Sequence, residues 1–138
     1  MAGVQKSIRI PKEILKEIEQ IAEENRKDFS SVANELLEEA VKTHRCPGII
    51  FTEGVKGRRA RVAGTGIEVW EVIATYQSVG ESVKRLRQAY HWLTEQQIQS
   101  ALGYYKSYSE EIDHLISVNE SWTPERLQKK YPFLPADK

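Results

Sequence analysis

The first apolar positions of the chain alternate with polar ones. Val4, Ile8 and Ile10 fall on one side of an extended segment and Gln5, Ser7 and Arg9 on the other, with Lys6 interrupting the apolar side. Period two over seven residues predicts a short strand over 4–10. Pro11 ends it, because proline has no N–H for a ladder yet suits the first turn of a helix. The period then changes. Ile14, Leu15, Ile18, Ile21 and Ala22 recur at helical spacing and share a face, with Lys and Glu on the outward positions. This helix is expected to fray over 25–28. Ser30 or Ser31 offers the N-cap of a second helix, whose stripe is Val32, Ala33, Leu36, Leu37, Ala40 and Val41. Pro47-Gly48 stops it.

A strand and two helices of this length do not close a core alone; chains of about 40 residues usually need a metal, a disulfide or a partner. This segment has neither disulfide nor metal site, so dimerisation is expected. The lone strand pairs with its copy and the helix pairs close over a shared core. The polar face of the resulting ribbon carries Gln5, Ser7 and Arg9 from each subunit. A two-stranded ribbon fits the DNA major groove, where Gln and Arg make paired bonds to base edges.

The stretches KSIRIPKEILKEIEQIAEEN and FSSVANELLEEAV resemble the ribbon-helix-helix repressors of the Arc/MetJ type, over about residues 4–44. The resemblance implies an intertwined dimer. Base readers would be the alternating polar residues before the proline, here Gln5, Ser7 and Arg9, with Lys6 set toward phosphate. It also implies a phosphate held by backbone N–H groups at the start of the second helix, here the Ser30-Ser31-Val32 turn, in keeping with the anion preference of helix N-termini. Without DNA, the same segment reads as a dimerisation arm whose polar face meets water.

After Cys46-Pro47-Gly48 the pattern restarts. An apolar run from Ile49, a glycine-bearing turn (Gly54, Gly57) and a second run to Val62 predict a hairpin. It is basic: Lys56, Arg58, Arg59 and Arg61 oppose Glu53. The arginines read either as a solvated hairpin edge, which charge protects from aggregation, or as contacts to phosphate or an acidic partner. Ala63-Gly64-Thr65-Gly66 is a tight loop. Val69, Val72, Ile73, Tyr76 and Val79 make a helical stripe ended by Gly80. Ser82 caps a short helix carrying Val83 and Leu86. Thr94, with Gln97 completing a capping box, starts a longer one with Ile98, Ala101, Leu102, Tyr105 and Tyr108, running on toward Ile112 and Leu115. The layout is a small hairpin followed by a helix-turn-helix-like set of helices.

The segments AGTGIEVWEVI, Gly80 with its capping serine, AYHWLTEQQIQSALGYY and EEI resemble the bacterial domain-of-unknown-function family 433. That family's Gly-Thr-Arg-Ile box has Gly66 here in place of arginine, and His91 and Trp92 stand where a Tyr-Pro is usual. The resemblance implies an antitoxin of the VapB type whose partner is a PIN-like nuclease toxin.

The tail shows a partial repeat. Arg126, Leu127, Tyr131, Phe133 and Leu134 follow the spacing of Arg85, Leu86, Tyr90, Trp92 and Leu93. Thr123-Pro124 starts a short helix, and Leu127, Tyr131, Phe133 and Leu134 form an apolar anchor that either packs in cis or docks on a partner.

Composition narrows the function classes. The 138 residues hold 20 Lys plus Arg and 20 Asp plus Glu, so any nucleic-acid site is a local patch rather than bulk charge. One cysteine, Cys46, excludes an internal disulfide and an all-cysteine zinc site. No apolar run reaches membrane-spanning length and the start carries no apolar signal region, so a cytoplasmic location is expected. Glu111 and His114 have the Glu-x-x-His spacing of di-iron bundles but lack a second copy, and no phosphate loop or nucleophile motif is present. The expectation is a mainly α protein, not an enzyme and without cofactor. Residues 1–45 would be a ribbon-helix-helix dimerisation and DNA-binding domain, 46–118 a hairpin-plus-helices domain and 119–138 a tail with a short helix. It would bind operator DNA as a homodimer or higher oligomer and a PIN-like toxin as partner. The alternative is a free-standing regulator whose second domain adds DNA binding or oligomerisation.

Overall fold

The computed structural model describes residues 3–54 and 57–120. The chain divides into two units, Met1–His44 and Arg45–Lys138.

In the first unit, α1 (Lys12–Glu24) follows Pro11, whose extended backbone (φ −54°, ψ 142°) leads into the helix and whose carbonyl accepts from the Leu15 N–H at 2.9 Å. Glu13 in the first turn complements the positive end of the helix dipole. At the far end Arg26 takes a left-handed conformation (φ 54°). The Lys27 N–H then reaches back to the Ala22 carbonyl and the Arg26 N–H to that of Glu23, closing the helix in a Schellman motif with arginine at the position usually given to glycine. The second helix, α2 (Phe29–Arg45), starts earlier than the serines predict. Its cap is Asp28, whose Oδ1 accepts from the Ser31 N–H at 2.7 Å. Residues 3–11 carry no regular secondary structure. A strand exists only by pairing, and among the described residues the sheet pairs β1 with β2 alone. The strand expected over 4–10 is therefore not formed within one chain.

In the second unit, β1 (Ile49–Gly54) and β2 (Gly57–Val62) run antiparallel in the register Ile49↔Val62 to Gly54↔Gly57. Alternation sorts the ladder into two faces. Ile49, Ala60 and Val62 are buried with Phe51 beside them, while Ile50, Thr52, Arg59 and Arg61 lie on the other side. Entry into β1 needs glycine at position 48. Its φ is +92°, and a Cβ there would stand 2.6 Å from the Ser100 Oγ. Four helices follow among the described residues of the unit: α3 (Val69–Ser78), α4 (Val83–Ala89), α5 (Glu95–Ser107) and α6 (Ser109–Glu120). Ser82 caps α4 by accepting from the Arg85 N–H. Thr94 and Gln97 exchange the two bonds of a capping box at α5. The core is Ile49, Val62, Val69, Val72, Ile73, Leu86, Ile98, Tyr104 and Ile112, all essentially inaccessible to solvent.

Two sequence expectations change here. The long helix expected to continue from Thr94 toward Leu115 breaks at Tyr108 (φ −133°, ψ 47°), giving α5 and α6. The inward tyrosine is Tyr104 rather than Tyr105; Tyr105 instead donates to Asp113 Oδ1 at 2.7 Å. The described residues thus form a mainly helical fold of six helices with one two-stranded antiparallel sheet. None of these helices is long and apolar enough to cross a membrane.

Candidate functional site

Gln5, Lys6, Ser7 and Arg9 are all solvent-exposed, on a backbone segment whose polar groups have no ladder within the chain. Their apolar neighbours are exposed too: Val4 is 93% accessible and Ile8 68%. The helices behind them are amphipathic but incompletely covered. Among the described residues of this unit only Ala22 and Val32 are buried. Leu37 and Val41, on the apolar stripe of α2, remain 56% and 52% accessible.

The start of α2 was expected to offer free amides at Ser30, Ser31 and Val32. Ser30 and Ser31 are exposed there and Val32 is buried. The Ser31 N–H is held by the Asp28 carboxylate, and the Val32 N–H donates to the Asp28 carbonyl at 3.2 Å. Hydrogen bonding from the Ser31 side chain, and then from its backbone, keeps the Asp28 carboxyl below its ordinary range. A phosphate approaching this turn therefore meets a carboxylate already seated on one of the amides. The sequence signal for this cap is the Asp28-x-x-Ser31 spacing, which two nearby serines obscure.

The three hairpin arginines do not form one uniform cationic surface. Arg58 donates through Nη2 to the Phe51 carbonyl at 3.1 Å and lies 3.9 Å from Glu53. The Nε of Arg59 is 3.7 Å from Glu68 Oε1, while Glu68 Oε2 accepts from the Trp70 indole N–H. On the same face of the ladder, Arg61 Nε and Thr52 Oγ1 are buried without a hydrogen-bond partner. Of the three, Arg61 is the one whose buried donor an added anionic group would satisfy. Leu127, Tyr131 and Phe133 lie outside the described residues.

Nothing in the second unit assembles a catalytic constellation among the described residues. No group of three or more His, Cys, Asp or Glu side chains is placed to hold a metal there. A shallow hollow of about 290 Å³ runs along α5, lined by Gln96, Gln99, Ser100 and Gly103 with Cys46 and Tyr104 beside them. It contains no paired acid and base. Behind it, the Tyr104 hydroxyl donates to Glu111 Oε2 at 2.7 Å. Burial, and then the bond to Glu111, pushes the Tyr104 phenol well above its ordinary range. This fits a structural tie between α5 and α6.

Comparison with known proteins bears on the second unit. Residues 49–105 match the family described as protein of unknown function DUF433, so a DUF433 domain occupies the hairpin and most of α3 to α5. The first unit lies outside that match. No curated protein and no solved structure matches the chain.

Proposed function

We propose that this chain is a homodimeric, sequence-specific DNA-binding protein, an autorepressing antitoxin in which the first unit reads the operator and the DUF433 domain engages a PIN-like nuclease toxin. The observation that carries the first half is the burial of the first unit. Six of the eight exposed large hydrophobic residues among the described ones, namely Val4, Ile8, Ile14, Leu36, Leu37 and Val41, belong to its 44 residues. A unit that leaves its apolar faces open in a single chain is built to close them against another. The alternation of residues 4–10 supplies the manner. Pairing of this segment with its copy turns Ile8 and Ile10 inward and presents Gln5, Ser7 and Arg9 outward as a ribbon.

In that ribbon Gln5 and Arg9 make paired bonds to bases and Ser7 assists, with Lys6 near phosphate. At the start of α2 a phosphate takes the Ser30 end of the turn, and the Ser31 amide becomes available only as Asp28 releases it. The toxin half of the proposal is supported by the second unit's DUF433 match, since resemblance to that family implies a VapB-type antitoxin. Arg61 and the anchor Leu127, Tyr131 and Phe133 are its proposed contacts, with Arg58 and Arg59 beside them. The test is fluorescence anisotropy on the DNA upstream of the protein's own gene, over a salt series, comparing the native protein with Gln5→Ala/Arg9→Ala. The double variant is expected to lose specific binding, each reader contributing about 1–3 kcal/mol, and to keep only weak salt-sensitive binding. Identical binding by both proteins would leave the first unit a dimerisation arm.

A further inference from the structure

We infer that α4 and the turn after it form a binding site for single-stranded nucleic acid, separate from the proposed operator-reading ribbon. The chain as a whole balances its charges, but residues 82–92 do not. This stretch holds Lys84, Arg85 and Arg87 and no Asp or Glu. The helix is fixed by Leu86, which is fully buried, so the three cations project from its remaining sides and all are exposed. Elsewhere, Lys27, Arg58 and Arg59 lean on acids of their own unit. The side chains of Lys84, Arg85 and Arg87 have no such partner among the described residues.

The second observation is Trp92. It is 52% accessible, the most exposed large hydrophobic side chain among the described residues of this unit, ahead of Ile50 at 42%. Its surroundings nonetheless hold it in place. Its ring meets Tyr90 edge to face, with centroids 5.8 Å apart and planes at 82°. The Tyr90 hydroxyl bonds to the Thr75 hydroxyl at 3.0 Å, and the next residue, Leu93, is buried. An edge-to-face contact occupies at most one face of an indole, so a flat surface stays open five residues along the chain from Arg87, the last of these cations.

A nucleotide brings a phosphate and a π-face in one residue, which is the pairing this surface offers. Duplex DNA supplies the phosphates but keeps its bases stacked on one another. An acidic peptide supplies charge but nothing that requires an indole. The chemistry therefore favours unpaired RNA or DNA.

The experiment measures anisotropy of labelled oligouridine, oligothymidine and a mixed-sequence duplex of equal length with the full chain, in the native form and as Trp92→Ala, Trp92→Phe and Lys84→Ala/Arg85→Ala/Arg87→Ala. Trp92→Ala should weaken single-strand binding roughly 5- to 150-fold and leave duplex binding unchanged, with Trp92→Phe recovering part of the loss. The triple variant should flatten the log–log salt dependence for single strands by about 2. Comparing oligouridine with oligothymidine assigns the source to RNA or DNA. Far-UV circular dichroism and operator binding check that each variant is folded. Equal single-strand affinity of Trp92→Ala and the native protein overturns the inference, as does an equal loss on duplex. Displacement of the oligonucleotide by polyglutamate of matched charge would overturn it too, and assign the patch to an acidic protein.

Discussion

Leu37 is where the proposed dimer is most simply broken. It sits on the apolar stripe of α2, one turn from Val41, and 56% of it is accessible in the single chain. Full burial of a leucine contributes about 1.5–3 kcal/mol. Covering the open half contributes about 1 kcal/mol per subunit and, because a two-fold interface uses each residue twice, about 2 kcal/mol per dimer. Leu37→Ala should therefore weaken dimerisation roughly 30-fold. Leu37→Lys is the sharper variant. Lysine matches leucine in helix propensity, so α2 keeps its local stability, while two unpaired ammonium groups enter the interface at a cost of several kcal/mol. Sedimentation equilibrium over a wide concentration series, with far-UV circular dichroism beside it, reads both effects. The native protein should be dimeric, Leu37→Ala should dissociate at higher concentration and Leu37→Lys should be monomeric. A Leu37→Lys protein that sediments as the native dimer refutes the assignment of this stripe to the interface. So does a native protein that stays monomeric at every concentration.

Tyr104→Phe keeps the ring and removes the bond to Glu111, so the second unit should lose about 1.5 kcal/mol and melt several degrees lower by calorimetry. The raised Tyr104 phenol also sets an alkaline limb. The unfolded chain ionises at the ordinary tyrosine value, so this contribution is complete below about pH 10 and shrinks as pH rises beyond it; urea midpoints against pH should show a limb that Tyr104→Phe flattens. Asp28 gives the opposite sign. Its carboxyl is held below the usual range, so the cap is fully effective above the ordinary Asp value and fails as pH falls through the lower folded value. Acid titration of helicity should show this limb, and Asp28→Asn should remove it. Gly103 lies exposed within α5, and a Cβ there would meet nothing within 4 Å. Gly103→Ala should raise stability by about 1 kcal/mol, and a melting temperature that fails to rise would contradict the openness of that site.

The sequence pattern reaches furthest where local chemistry decides. Pro11 before α1, Ser82 before α4 and the Thr94–Gln97 box before α5 act through bonds within a few residues, and each lies where the pattern puts it. The hairpin is equally plain, since alternation and two glycines set its register. Competition between neighbours is harder to read. Asp28, Ser30 and Ser31 are all good caps, and the carboxylate takes the position. The break at Tyr108 has no proline or glycine to mark it. It follows from packing, which turns Tyr104 inward to meet Phe51, Tyr108 and Glu111. The candidate site divides the same way. Spacing alone identifies the polar face of residues 4–10, whereas the pairing of Arg59 depends on Glu68 arriving beside β2 through its bridge to Arg61.

The contrast in burial between the units ties stability to function. The second unit closes its core within one chain, from Ile49 to Ile112, so its stability is expected not to depend on protein concentration. A first unit that completes its core only with its copy gains about 1.4 kcal/mol for each tenfold rise in concentration. Thermal unfolding should then show two transitions, of which only the one assigned to the first unit moves upward with concentration. The proposed activities inherit this difference. Operator reading as proposed would need a ribbon made by two chains and so should rise more steeply than linearly with concentration below the dimerisation constant. The proposed binding of a partner by the DUF433 domain would need one folded unit and should rise linearly. On this reading the partner would be engaged at low concentration while the operator stays open if partner binding is tighter than dimerisation, and the order would reverse if dimerisation is tighter. Leu37→Lys should separate the two cases, since it is expected to remove operator binding and to leave the second unit's transition where it was.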